Sequence, residues 1–268
     1  MLLTRVICAW LFALLPPQGM AAAAPGCATA PVETVRVATV LDGDTLRLAD
    51  GREVRIAGIA SAKASNGADA ALRELAALAG RTLAEFSGAA VMMAPVGAAA
   101  DRYGRRHVVL ETGDGRGVAE SLVASGLARV RLFPGEERCL APLLAAEAEA
   151  RTAGRGLWAL PAFAVRRATD GGLLDHVGQF ELVEGRIASV GHGRSVVFLD
   201  FGRDYRRDFT IMVPQSVSRR FVLPVDGLKG RRVRVRGVIE ASGGPAIWLS
   251  DPIEIEILDE DNGGGSRG

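Results

Sequence analysis

The spacing of hydrophobic and polar positions changes several times along this chain, and each change marks an element. Over 34–41 apolar residues fall at Val35, Val37 and Val40, which predicts a strand. Asp42-Gly43 is a turn, and 45–48 continue as a strand. Asp50-Gly51 is a hairpin turn, with 53–59 as the return strand. Over 68–78 the period lengthens, and Leu72, Leu75 and Leu78 share one side of an amphipathic helix. Strands are predicted at 91–96 and 106–110. A short helix over 118–125 stops at Gly126, and a longer one over 141–152 stops at Gly154. A strand meander with interspersed helices is an α+β pattern, a small barrel carrying three helices.

Residues 161–178 break the periodicity with Pro161, Arg166-Arg167 and Gly171-Gly172, and are read as a linker. Over 179–258 the alternation returns, with strands at 180–190, 195–201, 209–213, 231–239, 246–249 and 253–258. A short helix at 215–221 falls between the third and fourth of these. That order is the order of an OB barrel, so the predicted fold is mainly β, two barrels in succession. Residues 259–268 are acidic and then Gly-rich, and are expected to be disordered.

Composition adds a compartment. Arg5, the apolar run 6–15 and the small residues up to Ala24 have the layout of a signal peptide over 1–24. Ten apolar residues are too few for a lasting membrane anchor, so a secreted or periplasmic chain with no membrane span is expected once the leader is removed. Cys27 and Cys139 then remain. An even cysteine count in an oxidising compartment suggests one disulfide between them, with lipid attachment at Cys27 as the alternative. The formal net charge is only +1, so no bulk electrostatic pull toward nucleic acid is evident.

The chemistry concentrates in a few short motifs: Asp42-Gly43-Asp44-Thr45, Arg55, Asp101-Arg102-Tyr103-Gly104-Arg105, Ser125-Gly126-Leu127-Ala128, and the run from Glu147 to Gly156-Leu157-Trp158. In this order and spacing they resemble the staphylococcal nuclease family over about residues 33–160. The resemblance implies an OB-type barrel with three helices and Ca²⁺-dependent phosphodiester hydrolysis. By the same resemblance, Asp44 matches the first metal ligand and Asp42 an acid behind it. Arg55 and Arg105 match the two phosphate clamps, and Tyr103 lies on the nucleic-acid side.

The family's second metal Asp and its base Glu fall at Ala60 and Lys63. One remaining carboxylate binds calcium weakly, because affinity follows ligand charge. An ammonium 4 Å from the divalent ion would repel it by about 8 kcal/mol at an effective dielectric near 20. A protonated lysine also cannot accept a proton, and loss of a general base costs about 10²–10⁴ in rate. No cofactor is therefore expected, or Ca²⁺ if the family site still works. Lys63 is either a solvated loop residue or a built-in cation at the metal position. Asp69 and Glu74 are the nearest acids that could substitute, but Asp69 reads better as a helix start.

Three functional readings stand. The chain is a degenerate nuclease relative binding DNA, RNA or an envelope protein, a phosphodiesterase with a rearranged metal site, or an envelope interaction module. The missing acids favour the first. In the second barrel, Arg232, Arg234 and Arg236 alternate onto one strand face, where they either track a phosphate backbone or pair with acids such as Glu254 and Glu256. Phe201, Tyr205, Phe209 and Trp248 are the aromatic stacking candidates there. His107, His176 and His192 are scattered with no ligand spacing and are read as structural.

Overall fold

The computed structural model describes residues 32–64, 69–97, 100–204 and 206–258. The expected leader, Cys27, Tyr205 and the 259–268 tail lie outside the described residues. The first unit contains β1 (Glu33–Asp42), β2 (Thr45–Leu48), β3 (Glu53–Ile56), β4 (Ile59–Ser61), α1 (Ala70–Ala84), β5 (Ala90–Pro95), β6 (Arg106–Glu111), α2 (Val118–Ala124), β7 (Ala128–Val130) and α3 (Leu140–Thr152). β1, β2, β3, β6 and β5 close into a five-stranded barrel. Its core takes Val37, Leu46 and Ile56 from the strands and Leu83, Leu122 and Leu140 from the three helices. α1 starts at Asp69, whose carboxylate accepts the Leu72 N–H at 2.7 Å, so this acid caps a helix rather than joining a metal site.

One predicted strand is divided. Over 53–59 the chain leaves the barrel after Ile56, turns at Gly58 with φ of +75°, and re-forms as β4 against β7. A side chain at position 58 would need that left-handed conformation and would lie 2.7 Å from Leu143 Cδ1. The turn places β4, with Ala60 and Ser61, beside the first barrel turn.

The second unit contains β8 (Arg166–Arg167), β9 (Phe180–Arg186), β10 (Ser189–His192), β11 (Val196–Asp200), β12 (Thr210–Pro214), α4 (Gln215–Ser218), β13 (Arg232–Ala241), β14 (Pro245–Trp248) and β15 (Ile255–Ile257). Its strands run in the order β10-β11-β12-β14-β13-β9-β8, with β15 also on β13. β9 and β10 are the two halves of the strand predicted over 180–190. One half pairs with β13 and the other with β11, so the path returns to one stretch of chain in OB order. β8 lies inside the expected linker, which therefore contributes a strand. Phe201 and Phe209 are core residues of this unit and cannot stack on a base, whereas Trp248 is 39% exposed. No helix among the described residues is long and apolar enough to cross a membrane.

Candidate functional site

The barrel brings the separated motifs into one row. Thr45 pairs with Arg55 across β2 and β3, and Arg55 pairs with His107 across β3 and β6. Arg105 lies two residues before His107, so its side chain falls on the same face. The first turn packs tightly beneath them, because Gly43 has no side chain. A Cβ there would lie 2.8 Å from both Ala79 Cβ and Ser61 Oγ.

Asp44 is fully buried, and donors surround it. Oδ1 accepts from Lys63 Nζ at 2.9 Å and Thr45 Oγ1 at 3.0 Å. Oδ2 accepts from the Ser61 N–H at 3.1 Å and Ser61 Oγ at 3.3 Å, and lies 3.4 Å from Arg55 Nη2. Burial raises the pKa of this carboxyl, but Arg55, Lys63 and the Ser61 N–H outweigh it and hold the group at about 2. Lys63 Nζ also reaches Asp42 Oδ2 at 2.7 Å, while Asp42 Oδ1 accepts the Asp44 N–H at 3.0 Å. Lys63 is thus no free loop cation. It bridges Asp44, which the resemblance makes a metal ligand, and Asp42, the acid behind it.

These residues do not fit a divalent cation. Both Asp44 oxygens are committed to donors, position 60 offers a methyl group, and an ammonium stands where positive charge is wanted. No group of three His, Cys, Asp or Glu among the described residues could hold a metal.

Beside this cluster lies a cavity of about 600 Å³. Its charged lining is Arg55, Arg102, Arg105 and Arg131 against Asp101 and Glu136. Arg105 is tied to Asp101, with Nε–Oδ2 at 2.9 Å, and lies 3.4 Å from Thr45 Oγ1. Burial lowers the Arg105 pKa, but Asp101 with Asp42 and Asp44 raises it overall. Tyr103 is 66% exposed at the rim, with the Arg102 and Arg105 guanidiniums 4.8 and 4.9 Å from its ring centre.

Sequence reasoning missed several of these residues. Arg131 and Phe133 follow β7, and the Phe133 ring lies 4.6 Å from the Arg55 guanidinium and 5.3 Å from that of Arg131. Arg131 also stacks on Phe180 of the second unit. Arg129, Arg131 and Phe133 alternate in sequence, a period-two signal that could have placed them on one face. His107 Nδ1 bonds Glu136 Oε1, and Glu136 Oε2 accepts the Gly58 N–H at 2.7 Å. No local signal joins those residues, because Glu136 lies 29 positions beyond His107.

The arginine row of the second unit lies elsewhere. Arg232 pairs with Glu184, and Arg234 with Glu184 and Glu256. Arg236 is 1% exposed and faces the first unit. Its Nη1 donates to Glu147 Oε2 on α3 at 2.8 Å and to the Val130 carbonyl at 3.1 Å, and Nη2 to Glu256 Oε1 at 2.5 Å. A guanidinium enclosed between two units and bound to carboxylates is not placed to meet a phosphate. Glu256 is one of the two acids expected to pair with this row; Glu254 instead caps the turn at Asp251.

Cys139, just before α3, is disulfide-bonded, while the expected partner Cys27 lies outside the described residues.

A search of curated proteins finds no match to the chain. The family model described as "Staphylococcal nuclease homologue" matches residues 53–160. The match begins at Glu53, after the Asp42–Asp44 turn, but the closed barrel joins that turn to the matched region through β2 and β3. Residues 53–160 of this chain are therefore a staphylococcal nuclease homologue domain.

Proposed function

We propose that this chain is an exported nucleic-acid-binding protein of the nuclease fold, which holds phosphate on arginines and does not run calcium-dependent hydrolysis. One observation carries the reading: the Lys63 ammonium lies between Asp42 and Asp44, 2.7 and 2.9 Å from their oxygens. A calcium ion would have to displace a cation that is covalently part of the chain. The residue at the base position is that same ammonium, so it cannot take a proton from water while it is bound there. The cavity beside it keeps Arg55 and Arg105 and adds Arg131, an arrangement suited to an anion. The disulfide at Cys139 supports an oxidising compartment.

The test is cleavage of DNA and RNA by the mature chain with and without Ca²⁺, beside the double variant Ala60→Asp/Lys63→Glu. The wild type is expected to cleave neither, and to bind oligonucleotides with an affinity that falls as salt rises. The double variant should gain calcium binding. Cleavage by the wild type at rates that depend on Ca²⁺ overturns the reading.

A further inference from the structure

The second unit carries a cavity of its own, about 480 Å³, lined by β8, the end of β9 and the start of β13. Its charged lining is Arg166, Arg167, Arg186 and Arg232 against one acid, Glu184. The whole chain has a formal net charge of only +1, so four arginines around one carboxylate are a local concentration of positive charge. Arg167 and Arg186 are exposed, and the Arg232 side chain is 57% exposed, so solvent reaches these residues.

Strand register shows how the charges are laid out. Val183, Val233 and Val235 belong to the core, so Glu184 and Arg186 of β9 and Arg232 and Arg234 of β13 point outward. One row across the sheet alternates in sign: Glu256 of β15, Arg234, Glu184 and then Arg167 of β8. Arg234 closes on Glu256 at 3.2 Å and on Glu184 at 2.9 Å. The next row holds no acid. It sets Arg232 directly opposite Arg186, a like-charge pair that destabilises a sheet. Arg232 reaches back to Glu184, which Arg234 also uses, and Arg186 Nη1 donates to the Gly230 carbonyl.

The chain itself brings acid to this point. On the β15 side, Leu258 stands opposite Arg232 and donates its N–H to the Arg232 carbonyl at 2.8 Å, and the residues that follow it are Asp259-Glu260-Asp261. We propose that the arginine cavity is the seat of this acidic segment, which lies over Arg186 and Arg232 as a resident anion and keeps other polyanions off that face. Carried past Leu258, the register of β13 and β15 sets Asp259 opposite Arg231 and Glu260 opposite Gly230, whose carbonyl receives Arg186. Alternation turns Glu260 to the side of Glu256, which is the side of Arg232 and Arg186. Glu260 lies two residues beyond Leu258, a span of about 7 Å that an arginine side chain closes. Three acids thus meet four arginines whose cavity holds one carboxylate. Residues 262–268 carry no acid, so the seated part stops at Asp261. This seat is separate from the Arg55 cavity of the first barrel, and the two readings stand or fall independently.

The test follows the backbone amides of the mature chain by ¹⁵N relaxation. At low salt, Asp259, Glu260 and Asp261 should show heteronuclear NOEs close to those of β15, while 263–268 stay low. In about 1 M salt, where the screening length is about 3 Å, or after Arg186→Gln, the three amides should fall to the level of 263–268. Inorganic tripolyphosphate is the competing probe. The triple variant Asp259→Asn/Glu260→Gln/Asp261→Asn should bind it about tenfold tighter than the wild type, the scale of several exposed charge pairs acting together. Adding Arg186→Gln should abolish that gain, whereas a general effect of net charge would survive it. Low NOEs at 259–261 in the wild type at low salt overturn the inference, and so do NOEs that survive both Arg186→Gln and high salt. Equal tripolyphosphate affinity in the wild type and the triple variant also overturns it. The wild-type relaxation data decide the matter even if a substituted chain folds poorly.

Discussion

Replacing Arg236 with methionine should destabilise the protein by about 3–5 kcal/mol, the usual cost of removing one partner from a buried ion pair. Arg236 and Glu147 have side chains 1% and 0% exposed. Burial lowers the Arg236 pKa, but Glu147 and Glu256 more than reverse this and raise it, so the guanidinium stays charged. Methionine roughly fills the space but strands Glu147. That carboxylate would keep the Val130 N–H at 2.7 Å and Arg151 at 3.6 Å, and the Val130 carbonyl would lose a donor. Urea unfolding followed by far-UV circular dichroism measures the loss. The double variant Arg236→Met/Glu147→Met should cost less than the sum of the singles by more than about 1 kcal/mol, because it removes both charges together. The pair also joins α3 of the first unit to β13 of the second, so the single variant should broaden or split the unfolding transition. A loss under about 1 kcal/mol, or additive single and double costs, would refute the claim that this pair ties the units together. Oligonucleotide affinity per folded molecule should not change.

Other consequences follow from the site. Asp44 is held at about 2 against an ordinary 3.8, so its contribution is fully present above pH 4 and is lost as pH falls through 2. Asp44→Asn should remove about 2 kcal/mol at neutral pH and flatten stability between pH 4 and 2; an unchanged acid limb in urea melts would count against it. Gly43→Ala puts a methyl 2.8 Å from Ala79 and Ser61, and should cost about 1–3 kcal/mol, read as a lowered Tm. Cys139→Ser should cost about 2–5 kcal/mol, and reductant should destabilise the wild type but not the variant.

Much of the fold was legible in one dimension. Thr45–Leu48 forms as the alternation predicts, and Asp69 caps α1 because a carboxylate just ahead of a helix has free N–H groups to accept. The division at Gly58 was not anticipated: the alternation of 53–56 gives way to Ala57-Gly58-Ile59, and only packing against Leu143 shows why the chain turns there. In the site, Asp44, Arg55 and Arg105 were found through motif spacing. His107 was passed over because its partner comes from a distant loop.

The sequence alone determined the plan of a barrel followed by a second β unit, the family motifs, and the absence of acids at Ala60 and Lys63, because strand periodicity and turn chemistry are local. Whether Lys63 hung in solvent or bridged Asp42 and Asp44 was decided by the turn at Gly58, which brings β4 back beside the first turn. Whether Arg236 lay open or buried was likewise decided by how the second unit packs on α3. Alternation shows which residues share a strand face. It does not show what covers that face, since the partners come from elsewhere in the chain.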